Sequence, residues 1–171
     1  EALREFFLRE SRSIVVTGTH GKTTTSSLLA YIFDFAERDP KFLIGGIPQN
    51  FGRGYQYGEG NDFIIEGDEY DSAFFDKTAK FLKYQPSIGI INGIEFDHAD
   101  IFRDLDHVIR SFRKLISLIP SSGVLIANGD DPVVLAESRN AKCPVITYGY
   151  SDKADWRAIE KKSNGDLTNL E

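Results

Sequence analysis

Ser13-Ile14-Val15-Val16-Thr17-Gly18-Thr19-His20-Gly21-Lys22-Thr23-Thr24 is the stretch on which the fold turns. Ser13 to Thr17 is β-branched without polar alternation, the form of a strand buried on both faces of a parallel sheet. It runs straight into a glycine loop. From Lys22 onward Leu28, Leu29, Ile32, Phe33 and Ala36 recur at helical spacing until the turn signal Asp39-Pro40. Strand, glycine loop, helix is the context in which backbone N–H groups and a helix N-terminus bind phosphate.

Gly18 to Thr24 is therefore read as a nucleotide-binding loop in full. Gly18 and Gly21 let the backbone of Thr19, His20 and Thr24 close round phosphates, Lys22 offers charge to the transferring oxygens, and the Thr23 hydroxyl is within reach of a Mg2+ ion. The common phosphate loop has its first glycine five residues before the second, where this chain has Val16, so G-T-H-G-K-T-T is a shorter form.

Outward from this unit the pattern repeats. Phe42 to Ile44 is a candidate short strand, and Phe63 to Glu66 and Ile88 to Ile91 read as buried strands. Asp104 to Ile119 carries the firmest helical stripe, ended by Pro120 and a Ser-Ser-Gly turn. Val124 to Ala127 is a strand, Asp131-Pro132 opens a helix to about Ser138, and Val145 to Tyr148 closes the series. Gly45 to Gly60 reads as a long loop, and Tyr150 to Glu171 as a polar, weakly patterned tail. Alternating strands and helices predict an α/β fold: a phosphate-loop type, mostly parallel sheet with helices on both faces and ligands at the carboxyl ends of its strands.

Bulk properties set the class. With 171 residues, 41% hydrophobic and 27% charged, one domain with a proper core is expected. No apolar run approaches the roughly 18 residues of a membrane span, and Glu1 to Ser11 is charged where a secretory leader is apolar, so a cytoplasmic protein without a membrane partner is expected. A net charge of −6 argues against nucleic acid as the partner. Cys143 has no second thiol and is expected to be a small semi-buried residue. The absence of any Met suggests a trimmed piece of a longer chain.

Further polar groups gather at strand ends. Glu66 opens the acidic run Glu66-Gly67-Asp68-Glu69-Tyr70-Asp71. A solvated acidic loop accounts for any one of these acids, but a carboxylate at a strand tip beside a phosphate loop is where a Mg2+ ligand belongs, which favours Glu66. His98 follows the strand at Ile88 to Ile91; magnesium prefers oxygen, so chemistry alone does not make it a ligand. His107 lies on the polar side of the firm helix. In Asn128-Gly129-Asp130-Asp131-Pro132, an N-cap and turn explain Asp131 and Pro132, and Asn128 is left as a candidate nucleotide contact.

Four motifs in order, G-T-H-G-K-T-T at Gly18 to Thr24, the acidic strand end at Glu66, the N-x-x-x-x-D-H box from Asn92 to His98, and N-G-D-D-P at Asn128 to Pro132, resemble the central domain of the Mur ligases, ATP-dependent amide-forming enzymes of peptidoglycan metabolism. The resemblance covers roughly residues 14–149. It implies ATP and Mg2+ as cofactors, Lys22 as the catalytic charge on the phosphoryl group, Thr23 and Glu66 on one Mg2+ and His98 on a second. Arg113 stands about where several members carry a carbamylated lysine, which leaves no carbamate bridge; Lys114 points elsewhere on its helix.

Within the family, G-D-E-Y-D-S-A-F-F-D at Gly67 to Asp76 and E-F-D-H-A-D-I-F at Glu95 to Phe102 resemble the recycling branch, which joins UDP-N-acetylmuramate to the murein tripeptide L-alanyl-γ-D-glutamyl-meso-diaminopimelate. The alanine-adding branch, UDP-N-acetylmuramate:L-alanine ligase, is the alternative. Folylpolyglutamate synthase relatives share the loop but not the E-F-D-H-A-D box, and a nucleotide-binding regulatory domain is disfavoured by the short loop and the D-H pair. By the same resemblance residues 1–171 are expected to be an ATP-binding central domain. The N-terminal UDP-sugar domain, the C-terminal Rossmann-like domain and a later H-N-x-x-N element are expected outside it.

Overall fold

The computed structural model describes residues 2–97, 101–159, 161–164 and 167–170, the last two stretches by strand pairing alone. A helical turn at Arg4–Leu8 precedes β1 (Arg12–Thr17), α1 (Lys22–Phe35), β2 (Lys41–Leu43), β3 (Tyr55–Gln56) and β4 (Asp62–Glu66). Next come the hairpin strands β5 (Asp71–Ala73) and β6 (Asp76–Ala79), a tight helical turn at Lys80–Lys83, β7 (Ile88–Ile91), α2 (Leu105–Leu118), β8 (Val124–Asn128) and α3 (Pro132–Ser138). The chain continues through β9 (Val145–Gly149), β10 (Trp156–Arg157), β11 (Lys161–Asn164) and β12 (Leu167–Leu170).

Eight strands form one sheet in the order β10-β9-β8-β7-β1-β4-β2-β3. Every pairing in it is parallel except β2 with β3. The chain steps from β1 towards β2 through α1, and in the opposite direction from β7 to β8 and β9 through α2 and α3. Right-handed crossovers then put α1 on one face and α2 and α3 on the other. The reversal opens a crevice at the carboxyl ends of β1, β4 and β7, where this fold class binds its ligands.

Each face has its own core. Val15, Phe63, Ile65, Ile91 and Leu125 pack against Phe112, Leu115, Ile116 and Val134 from α2 and α3. Ile14, Val16, Phe42, Ile44, Ile64 and Ile90 pack beneath Ala30, with Leu29 and Phe33 alongside. Three consecutive β1 residues, Ile14, Val15 and Val16, are thus all buried, which is why the strand shows no polar alternation. Truncating a ring such as Phe112, 1% exposed against Phe81, costs about 3 to 5 kcal/mol of stability.

The expected α/β sheet with helices on both faces is present, and several local expectations are corrected. Ser26 and Ala30, both fully buried, form the sheet-facing side of α1, because only small side chains fit where the helix lies tight on the strands. Leu28 and Ile32, expected in the core, are 56% and 48% exposed on the outer side. His107 is half-buried: its ring meets Phe102 edge-on at 5.2 Å and its Nδ1 is buried. Gly45 to Gly60 contains β3, which pairs Tyr55 and Gln56 with Leu43 and Phe42. The acidic run leads into the β5–β6 hairpin, and the tail supplies β10 and the β11–β12 hairpin. Short strands in polar sequence carry no periodic signal, so pattern reading passes over them. Among the described residues no helix is long and apolar enough to cross a membrane.

Candidate functional site

The loop after β1 is shaped by two glycines. Gly18 has φ +134°, and a Cβ there would sit 3.0 Å from the backbone nitrogen of Gly93. Gly21, at φ +77°, caps α1 in the left-handed region, a conformation that costs a side-chain-bearing residue about 1 kcal/mol or more. Thr19 straps the loop to the chain after β7. Its backbone N–H donates to Gly93 O at 3.0 Å, and its hydroxyl accepts from Glu95 N at 2.8 Å and donates to Glu95 O at 3.2 Å. His20 is exposed, with Nε2 3.8 Å from the Glu95 carboxylate, and Thr24 is exposed on the first turn of α1.

Lys22 folds back over this loop. Its Nζ donates to Gly18 O at 2.8 Å, to Thr19 O at 3.2 Å and to Glu69 Oε1 at 3.0 Å. One turn of sheet away, the Thr23 hydroxyl donates to Glu66 Oε1 at 2.8 Å, and Glu66 Oε2 accepts from Gly45 N at 2.8 Å. Strand β4 brings Glu66 there because it pairs in register with β1, Val16 opposite Glu66. Thr23 and Glu66 thus present hard oxygen atoms at one point, the donor type that Mg2+ takes from protein while keeping water and phosphate oxygens for its other positions. Among the described residues no group of three or more His, Cys, Asp or Glu forms a fuller metal cage.

A cavity of about 530 Å³ opens over these groups, lined by Thr19, His20, Lys22, Gly45 and Glu66 and closed by Asp68, Lys80 and Tyr84. Lys80 Nζ donates to Asp68 Oδ2 at 2.8 Å. Burial, then the negative charge of Asp68 and Glu66, raises the Tyr84 phenol above its ordinary value. Tyr84, Lys80 and Gly45 escaped the sequence reading. They come from elements without a motif, and the hydrogen-bonding fold of the acidic run around Glu69 has no spacing signal either.

Asn128 lies at the other end of the rim, on a second cavity of about 500 Å³ lined by Tyr148, Tyr150, Trp156 and Arg157. Its Nδ2 donates to Asn92 O at 2.7 Å and its Oδ1 accepts from Asp130 N at 3.0 Å. Asn92 links the two ends. Its Nδ2 donates to Thr25 Oγ1 at 3.0 Å, and its Oδ1 accepts from the Tyr148 hydroxyl at 3.0 Å. Asp131, assigned to an N-cap, accepts from Val133 N and Val134 N and also from Ile94 N at 2.9 Å. Arg113 points away from the rim to Glu137, and Cys143, 7% exposed, is more deeply buried than expected. His98 lies outside the described residues.

The geometry therefore brings Lys22 and Glu66 to one cavity, with Thr23 hydrogen-bonded to Glu66 beside it, and sets Asn128 apart from them. With this arrangement established, comparison with known proteins is specific. Residues 16–170 match the family described as the Mur ligase middle domain. The chain is 46% identical over 169 residues to the Escherichia coli UDP-N-acetylmuramate--L-alanyl-gamma-D-glutamyl-meso-2,6-diaminoheptandioate ligase, covering 99% of this chain and 36% of that one. It is 39% identical over 158 residues to the UDP-N-acetylmuramate--L-alanine ligase of Alkaliphilus metalliredigens, covering 92% of this chain and 33% of the other. Among solved structures, a murein peptide ligase from Psychrobacter arcticus superposes with a TM-score of 0.82 at 32% identity, over 98% of this chain and 41% of that one. The chain spans about a third of the length of these curated relatives.

Proposed function

Because this chain belongs to the Mur ligase middle-domain family, we propose that it is the ATP-binding part of a ligase that forms an amide bond by way of an acyl phosphate. The observation that carries the reading is the convergence of Lys22 over the loop with the Thr23–Glu66 pair at 2.8 Å, beside a cavity of about 530 Å³. Gly18 to Thr24 wraps the phosphates of ATP. A carboxylate of the acceptor sugar attacks the γ-phosphorus, ADP departs, and an amine then displaces phosphate from the acyl phosphate. Lys22 and the loop amides stabilise charge on the transferring group, and Thr23 and Glu66 would hold a Mg2+ ion, which would supply neutralising charge. His98 is the further metal ligand that family resemblance assigns, and Asn128 a contact on the nucleotide side of the rim.

On this reading residues 1–171 work as a central domain beside partners that hold the UDP-sugar and the incoming amine. The substrates are UDP-N-acetylmuramate and the murein tripeptide, in the cytoplasm, with no nucleic-acid or membrane partner. The names of the 46%-identical relatives and the G-D-E-Y-D-S-A-F-F-D run support the tripeptide; the 39%-identical relative keeps L-alanine as the second reading. The test is ADP release by a full-length ligase carrying this segment, given UDP-N-acetylmuramate with either amine. Faster release with the tripeptide is expected. Release with L-alanine alone selects the second reading, and release with neither overturns both.

A further inference from the structure

The ammonium of Lys22 has three hydrogens, and three acceptors stand around it: Gly18 O, Thr19 O and Glu69 Oε1. The first two belong to the loop. Glu69 does not, and it lines a neighbouring cavity of about 350 Å³ together with Lys77 and His107. Lys22 thus lines the first cavity while its charge is engaged by a carboxylate that lines the second. That carboxylate is 4% exposed and the lysine 15%, so water screens the pair weakly.

A phosphate oxygen arriving in the near cavity finds no open hydrogen on Lys22 and must displace an acceptor. The two carbonyls are fixed by the loop that the phosphate itself needs. Glu69 is the acceptor that can be exchanged, anion for anion. Resting on the phosphate-loop reading above, we propose that Glu69 is a positioning residue, a counter-ion that holds Lys22 back until a polyphosphate takes its place. Nucleotide binding then trades the Lys22–Glu69 ion pair for a Lys22–phosphate contact and takes from a buried carboxylate the charge that Lys22 supplied. That loss opposes binding, as does the repulsion between the carboxylate and the phosphates. Glu69 accordingly weakens nucleotide binding in exchange for a defined resting position of the lysine. A residue that merely supports the fold gives no reason for binding to strengthen when its charge is removed.

The test is calorimetric titration of the 171-residue chain with tripolyphosphate, and with ATP in the presence of magnesium. Glu69→Gln keeps the shape and one acceptor while removing the charge, and it is expected to bind tripolyphosphate about 10-fold more tightly than wild type. Lys22→Ala is expected to bind about 10-fold more weakly, and in that background the gain from Glu69→Gln shrinks to about threefold, because only through-space repulsion is left to relieve. Glu69→Asp, which withdraws the carboxylate by one methylene, shows a smaller gain in the same direction and serves where Glu69→Gln does not fold. Equal or weaker binding by the Glu69 variants, with wild type binding and Lys22→Ala impaired, overturns the inference and leaves the phosphate loop standing. Absence of binding in every variant overturns both.

Discussion

Two carboxylates of similar burial, Glu69 beside the glycine loop and Glu137 on α3, each meet a cation from another element, and the two regions use the contact differently. Lys22 is a point charge that shares itself between Glu69 and two loop carbonyls at the wall of a cavity. Arg113 sets its guanidinium fork against both oxygens of Glu137, at 2.8 Å each, and so ties α2 to α3. That bond raises the Arg113 pKa and lowers that of Glu137, to which Asn140 also donates. The first pair stands where another anion can enter. In the second, both carboxylate oxygens are taken by a planar bidentate partner, the geometry suited to a fixed joint. Burial of a charge therefore does not reveal its role; what matters is whether a competing ligand has access.

The largest effect is expected from breaking the loop side. In a full-length ligase carrying this segment, Lys22→Ala should lower turnover by ~100- to 1000-fold, the loss of one preorganised charge worth ~3 to 4 kcal/mol in the transition state. Its thermal midpoint should fall as well, because the buried Glu69 carboxylate loses the cation that Lys22 supplies, so turnover is compared at a temperature where both proteins are folded. Steady-state ADP release beside a melting curve separates the two, and near-normal turnover would remove Lys22 from the chemistry.

A smaller effect, on stability and not on chemistry, is expected where α3 begins. Asp131 Oδ1 accepts from Val133 N at 2.8 Å and Val134 N at 3.1 Å, while Oδ2 accepts from Ile94 N at 2.9 Å. Asp131→Ala removes a cap worth ~1 kcal/mol and orphans a part-buried N–H, for a total of about 2 kcal/mol in urea denaturation. Asp131→Asn, which keeps the acceptor, should recover more than half of it. Tripolyphosphate affinity of the folded variants should not move, since this seam offers the ligand nothing to exchange. A large fall in affinity would mean that the chain after β7 is coupled to the loop through Thr19 more tightly than the comparison allows.

How much of this was legible beforehand depends on periodicity and adjacency. The β1–loop–α1 unit, β7, α2, β8 and β9 are long or apolar enough to announce themselves, and Lys22, Thr23 and Glu66 follow from their places at strand ends. The β5–β6 hairpin is polar and three to four residues per strand, so nothing in Asp71 to Ala79 separates it from a loop. Leu28 and Ile32 fit a helical stripe that the structure turns outward, because α1 sets Ser26 and Ala30 against the strands and periodicity alone does not say which side of the helix that is. Glu69 was hidden for a different reason. Among four acids in six residues, its pairing with Lys22 depends on how the chain folds back after β4, forty-seven residues beyond the lysine.

The smallest effect belongs to the α2–α3 pair, and its pH dependence shows what kind of contact it is. Arg113→Met keeps much of the aliphatic stem and removes the charge, so only a small loss of stability at pH 7 is expected for a half-exposed arginine. Glu137 has a folded pKa depressed below its unfolded value, first by the hydrogen bond from Arg113. Stability from such a shift is fully present above the unfolded value and is lost as pH falls through the folded one. The difference between wild type and Arg113→Met should accordingly be constant from pH 7 down to the ordinary carboxylate range and shrink below it, as protonation leaves Glu137 with no charge for the guanidinium to answer. Denaturation curves at pH 7, 5 and 3 decide the point. A difference that stays flat to pH 3 would assign the contribution to packing of the arginine stem, and the contrast between the two regions would then rest on shape, with Lys22–Glu69, of these two pairs, the one whose charge a ligand can take over.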